Sequence, residues 1–507
     1  MIANLTEQTL ALLKKLQSEN ILAKDTTTTG ITTGTGIVNY NLEPYAKTLY
    51  PVITPIRNRT PRFTDPNGGN AVNWKVITAI NPGRTFPGVS EGIRGAQISQ
   101  TEGNRMASFV RFSLENSLTE EAMMQAQGFD NALAIMADNL LRSMFIAEEE
   151  WMLAGNASGL QTPGAPTGNV GSGGNMTAHA TKCFVAALTY DGYKRASVSG
   201  GVYTTLVQTS PMGESQTVNC GVSPVSPAGS ATTSSGDQSV TWQVTAVAGA
   251  FAYAWFVDKT GTGLGTAQLA AITTTNVFAQ TADATGTQVA NGAGTGGGGN
   301  LGATDYSANA TLAFDGLISQ AINPRVSTAT GYYQSLDNAT LTGDNNGNVV
   351  EIDTALKYFY DTWKVSPTKM WVGSQQALNI TQKVLAGGNA PVYSIRFAGD
   401  QGAGPAGIAG GSFVPVYNNK FAVGGPKAIP IEVHPNIPSG KIFFDCDEIP
   451  YPLANIPGPY RMHLLRDYWQ RLWPQTTETR YTSVNFYGVL QLYVPFAMGV
   501  IDNIAAG

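Results

Sequence analysis

The sequence predicts an α+β chain carrying an inserted all-β sandwich. Three observations point there. An apolar stripe recurs at helical spacing from about Thr119 to Ala154. Strand-like pieces stand on either side of it. Between Arg195 and Arg325 the only basic residue is Lys259, in a Ser/Thr/Gly/Ala-rich stretch of short β-like runs.

The 507 residues suffice for roughly two or three domains. Charged residues make up 13%, about half the usual globular share, and the formal net charge is −5 with no long basic run. So little charge fits surfaces covered by other subunits, because interface cores are depleted in charge. It argues against a face built to neutralise phosphates. The three cysteines (Cys183, Cys220, Cys446) lack CxxC spacing, so neither a disulfide framework nor a zinc site is expected. No signal-peptide order is visible, and no stretch approaches the roughly 20 apolar residues that cross a bilayer. The expectation is a soluble chain made in a reducing cytosol.

Taken in order, MIANLTEQTLALLKKLQSEN suits a short amphipathic helix through Leu5, Leu12 and Leu16, and DTTTTGITTGTG is a Thr/Gly run with nothing to bury. From Tyr40 to Arg62 repeated prolines interrupt helix and mid-sheet strand, predicting an extended arm. Strands over 70–80 and 105–114, separated by a Gly/Pro-punctuated tip, predict a long hairpin. Tips of that length are usually functional or held by a partner.

The helix over 119–154 has Ser117 or Thr119 as its cap and Glu120 and Glu121 in its first turn. Phe129, Leu133, Met136, Leu140, Met144, Ala147 and Trp151 form its stripe. Its length would be about 50 Å. Past Gly155, strands are expected over 183–190, 201–209, 239–247, 250–258 and 270–279, between glycine-rich linkers at 162–175 and 291–300. From Phe314 onward α/β character returns. A helix is predicted within 344–365, a strand, turn and helix within 367–385, β pieces over 410–435, and two strands over 478–504.

The helix ends in AEEEWMLAGN, three consecutive glutamates. Successive helical residues rotate by about 100°, so Glu148, Glu149 and Glu150 cannot converge on one substrate or metal. Near a helix C-terminus, negative charge also opposes the dipole. The acids therefore call for cationic partners, and the arginines of a hairpin that cannot stabilise itself, Arg84, Arg94 and Arg105, are the proposed intersubunit match. GTGGGGN lacks the Lys-Ser/Thr of a phosphate loop, and GAGPAGIAGG (402–411) has no preceding strand. His179, His434 and His463 lie too far apart for a triad or a metal site. Asp445, Asp447 and Glu448 are the best remaining acidic group but fall short of a calcium loop. No catalytic residue, cofactor or metal is predicted, and the chain is read as a non-enzyme.

The order of parts resembles the major capsid proteins of tailed bacteriophages, the Hong Kong 97-type fold. VSEG on the hairpin (Val89 to Gly92), the long "spine" helix closing in acids and Gly155-Asn156, and the closing NFYGVLQLYVPFAMGVIDNI carry that resemblance. It implies an N-terminal helix and arm (1–61), an extended hairpin loop (62–115) and a peripheral domain with the spine helix (116–160). An axial domain (306–445) and a return to the peripheral domain (446–507) follow. The insert, 161–305, resembles the immunoglobulin-like domains that some phage capsid proteins display outside the shell. The resemblance further implies a homo-oligomer of hexameric and pentameric capsomers, with portal and possible scaffolding or decoration proteins as partners. The shell would enclose double-stranded DNA without sequence-specific binding, in a virion assembled in the host bacterial cytoplasm. Lys75 lies in a hairpin strand rather than at the tip, so the lysine–asparagine crosslink of some members is not expected. The alternative is a phage adhesin or tail component binding glycans through its β-sandwich.

Overall fold

The computed structural model describes residues 52–506 apart from 66–67, 127–130, 235–237, 287, 291–300, 327–328, 345, 386–412, 423, 449–457 and 476. The expected first helix, the arm as far as residue 51, and the glycine runs at 291–300 and 402–411 lie outside the described residues. The fold belongs to the unit Ile53–Gly507.

The arm is not extended to its end, because Pro55–Arg59 forms a short helix, α1. Proline is tolerated in a first turn, where no helical partner awaits its missing N–H. β1 (Arg62–Thr64) follows. β2 (Ala71–Ile80) and β3 (Gln100–Ser108) pair antiparallel, leaving 81–99 as the tip of the expected hairpin. The second strand does not run unbroken to Leu114. Phe109 is buried and its N–H binds the Asn70 carbonyl, and β4 (Val110–Thr119) departs into a different sheet.

Thr119 caps α2 (Glu120–Ala126) by accepting the Ala122 N–H at 3.3 Å, as the sequence suggests. α3 (Ala132–Ala154) starts at its own cap, Asn131, which accepts from Ala134. At 23 residues it is about 34 Å long, shorter than expected. Its buried line runs Met136, Leu140, Met144, Glu148 and Met152. The predicted Ala147 and Trp151 are only half-buried, so past Met144 the buried line runs through a carboxylate, Glu148, instead.

The expected linker at 162–175 is largely a strand, β5 (Thr167–Met176). β6 (Ala180–Leu188), the turn helix α4 (Tyr190–Arg195), and a hairpin of β7 (Thr205–Thr209) and β8 (Ser215–Asn219) come next. β9 (Gly229–Thr232), β10 (Gln238–Gln243), β11 (Ala252–Asp258), β12 (Gln268–Thr273) and β13 (Val277–Gln280) complete two facing sheets, β13-β10-β5 and β12-β11-β6-β9. This is a sandwich but not an immunoglobulin one. With its seven strands lettered A to G, an immunoglobulin domain sets A, B, E and D against C, F and G. Here the first, fourth and seventh strands share one sheet. β11 is buried along its whole length, with Tyr253, Trp255 and Val257 in one core beside Trp242 and Val185, and Ala254 and Phe256 in another beside Phe184.

After α5 (Leu317–Ile322) and β14 (Tyr332–Ser335), α6 (Val350–Tyr358) runs into a π-helical turn over Phe359–Trp363. β15 (Lys369–Val372), α7 (Ser374–Leu385), β16 (Val416–Asn419), β17 (Lys427–Val433) and β18 (Ile442–Asp445) follow. The long strands β19 (Tyr460–Leu472) and β20 (Thr479–Leu492) precede the last strand, β21 (Gly499–Asp502). A six-stranded mixed sheet has the order β14-β21-β18-β15-β17-β16, and a four-stranded sheet the order β1-β19-β20-β4. Ile442, Phe444 and Ile501 face a core shared with Ile352, Leu356 and Ile380 of α6 and α7. Phe443, Trp371 and Val500 face the opposite core, with Met152, Leu153, Phe314 and Leu317.

Phe251 and Tyr190 of the insert belong to that second core. Lys441 completes the join. Its Nζ donates to the Ala250 carbonyl at 2.7 Å and pairs with Asp502, and both charged side chains are buried. The insert is therefore packed onto the six-stranded sheet, not merely tethered by flexible linkers. Phe251→Ala should lower stability by about 3–5 kcal/mol. Urea denaturation checks this, and a change near zero would contradict the shared core.

Candidate functional site

The site begins with the odd residue of the α3 stripe. Glu148 and Glu149 are at most 1% exposed. A buried carboxylate is tolerable only when paired and hydrogen-bonded. Glu148 accepts from Arg57 Nε at 2.6 Å, from Arg62 Nη1 at 2.5 Å and from the Tyr468 hydroxyl. Glu149 accepts the backbone N–H groups of Ile56 (3.0 Å) and Arg57 (2.7 Å), first-turn donors of α1 that have no helical acceptor. Its third donor is His434 Nε2 at 2.7 Å. His434 Nδ1 accepts the Asn436 N–H, which leaves the proton on Nε2, facing Glu149.

Around this node the cations are stacked and shared. The Arg57 guanidinium lies 3.8 Å from the Phe145 ring centroid. Arg62 forks onto Asp467 at 2.7 and 3.2 Å. Burial works against the Arg62 charge, but Asp467 and Glu148 outweigh it and hold its pKa above the ordinary arginine value. Arg59 reaches Glu432 at 3.0 Å. Together these bonds tie the root of the arm to α3, β19 and the end of β17.

Within one chain the three acids already have partners. Glu148 and Glu149 meet Arg57, Arg62 and His434 of their own chain, and Glu150, on another face of α3, pairs with Lys194 of the insert. Arg105 is buried at the base of the hairpin and donates to the Leu492 carbonyl at 3.2 Å. Burial pushes its pKa down to about 10. These four residues thus have partners within one chain. Arg84 and Arg94 are exposed on the tip. Nearby stand Phe86, 81% exposed, with Ile80, Val89, Ile93 and Ile98 also exposed.

Asp445, Asp447 and Glu448 do not converge. Asp447 pairs with Lys369, whereas Asp445 is buried and accepts from Trp371 Nε1 (3.0 Å) and the Tyr460 hydroxyl (3.2 Å). Among the described residues no acidic, histidine or cysteine group could hold a metal. No helix among them is long and apolar enough to cross a membrane. Arg57, Arg62, His434 and Tyr468 were not singled out together by sequence. The arginines of RNRTPR were a visible signal, but nothing in the chain pairs position 57 with 148.

Two outcomes test this site. Glu148→Gln should cost about 3–5 kcal/mol, because the change removes a charge that two part-buried arginines share. Chemical denaturation reads it, and an unchanged midpoint would refute the node. Burial raises the Asp445 pKa, with the Trp371 N–H opposing. For a carboxyl whose folded pKa is raised, stability falls as pH climbs above its unfolded value, near 3.9. Asp445→Asn should therefore stabilise at neutral pH, with the gain shrinking as the pH is lowered. An equal effect at every pH would contradict a titrating Asp445.

No family model matches the chain, and no curated protein matches it. Among solved structures it is similar to the capsid of cyanophage P-SCSP1u, at 8% identity over 94% of this chain and 95% of that one, with a TM-score of 0.39. A structure from Microbacterium phage Oxtober96 is similar at 8% identity over 96% and 99%, with a TM-score of 0.39. The capsid of Myoviridae phage XM1 is similar at 8% identity over 92% and 99%, with a TM-score of 0.36. Each is a likeness in extent, at low identity and low TM-score.

Proposed function

We propose that this chain is the major capsid protein of a tailed bacteriophage, with a structural rather than enzymatic role. The observation that carries the reading is the hairpin. An isolated two-stranded ribbon is marginal in water. This one carries large exposed apolar side chains at Ile77, Ile80, Phe86, Val89, Ile93 and Ile98, and Arg84 and Arg94 on its tip. Such an element gains stability by lying on a second copy, whose surface would cover the apolar side chains and supply acids to the arginines.

In this reading hexamers and pentamers close into an icosahedral shell around double-stranded DNA. The node at Glu148 and Glu149 holds the root of the arm rigid inside each subunit, and the hairpin makes the contact between subunits. The insert stands on the outer surface. Portal and scaffolding or decoration proteins are the further partners of such a shell.

Negative-stain microscopy of the purified protein tests the whole reading. Closed shells or capsomers support it; elongated monomers or trimers oppose it. Within the hairpin, Phe86→Asp together with Arg94→Glu should abolish shells while the circular dichroism spectrum and the denaturation midpoint stay unchanged. Normal shells from that variant would remove the hairpin from the contact.

A further inference from the structure

A second site lies where the insert meets the six-stranded sheet. A cleft of about 430 Å³ opens there, between Thr167, Gln243 and Thr245 of the insert and Tyr333, Ser335 and Asp337 beyond β14 and on it. That volume lies in the ordinary range for small-ligand sites, roughly 300–1,000 Å³.

Asp337 is exposed but fixed. Its Oδ1 accepts from Asn276 Nδ2 and from Ser335 Oγ, each at 2.7 Å. Asn276 is itself held by the Val244 carbonyl at 2.7 Å, and Ser335 by Asn503 Nδ2 at 2.9 Å. Oδ2 has no hydrogen bond among the described residues. Asp337 and Asn338 both have left-handed backbone, with φ of 50° and 65°. Aspartate and asparagine are the non-glycine residues that best tolerate that region, so the turn sets the position of the Asp337 carboxylate. The fully buried Asn276 leaves its Oδ1 without a partner, and the Tyr333 hydroxyl is likewise unpartnered.

We propose that this cleft binds a neutral saccharide. A fixed carboxylate oxygen accepts from sugar hydroxyls, the amide of Gln243 and the hydroxyls of Thr167 and Thr245 both donate and accept, and the Tyr333 ring offers an apolar wall. No lysine, arginine or histidine lines the cleft. The nearby Lys441 is committed to Asp502 and Ala250. Anionic ligands, sialylated sugars included, would meet only the Asp337 charge. The proposal does not depend on the shell reading, since both walls belong to one chain.

Saturation-transfer NMR on the purified full chain tests it, with millimolar methyl α-D-glucopyranoside, methyl α-D-mannopyranoside, methyl β-D-galactopyranoside and N-acetylglucosamine as probes. N-acetylneuraminic acid serves as the anionic comparison. At least one neutral probe should receive saturation, and its affinity should fall about tenfold or more in Asp337→Asn, which removes the charged acceptor. Asparagine tolerates the left-handed backbone, so that variant keeps the turn. Gln243→Ala should weaken the same probe. Silence from all four neutral probes, undiminished binding in both variants, or equal binding of N-acetylneuraminic acid would each overturn the proposal.

Discussion

Two carboxylates with almost no access to water determine how this molecule is put together. Glu148 and Glu149 cannot remain charged in the interior without donors, and α3 alone offers none. The donors come from three stretches far apart in the chain: α1 with Arg62 at the start of β1, His434 after β17, and Tyr468 on β19. Satisfying one helix end therefore fixes the arm root, the four-stranded sheet and the six-stranded sheet relative to one another. A buried ion pair of this kind adds less net stability than its contact distances suggest, because desolvation offsets much of the attraction. What it supplies is position. Any arrangement that separates α1 from α3 strands a charge.

The same logic operates at the insert. Lys441 and Asp502 are both buried, and the lysine reaches across to the Ala250 carbonyl while lying 5.2 Å from the Phe251 ring. Phe251 and Tyr190 extend the central core into the insert, and Asn276 bonds Asp337 across the seam. An apolar contact, a buried charge pair and a side-chain hydrogen bond thus hold one join. The insert and the six-stranded sheet form a single packed body there, and a cleft between them can have fixed walls.

Against these satisfied interiors the hairpin stands out as incomplete. Its base is secured by the buried Arg105 and Val76, but toward the tip the apolar side chains turn outward and the arginines face water. Charges needed for the chain's own geometry are paired inside it, whereas the apolar side chains and arginines of the tip are left facing solvent.

The sequence alone determined the order and type of most elements: the hairpin, a helix capped at Thr119 and an amphipathic stripe reaching Ala154 (read as one helix where the structure has α2 and α3), the strand-rich insert, and the strand–turn–helix at 369–385. These rest on local periodicity and capping chemistry, which are written in neighbouring residues. It also showed that three successive acids diverge on a helix. It did not show that Glu148 lies in the buried line, because a charged residue breaks the apolar pattern that reveals such a line. Nor could it find Arg57, Arg62 and His434 as the acids' partners, or Arg105 as buried, since those are contacts across long sequence separations. The strand from Thr167 was hidden by its glycines, which local propensity assigns to a linker until β10 supplies the pairing. The strand order of the sandwich, unlike that of an immunoglobulin domain, depends on which strands pair across the insert. Those decisions belong to tertiary structure, because burial and pairing are properties of surfaces brought together by the fold and not of the residues taken in order.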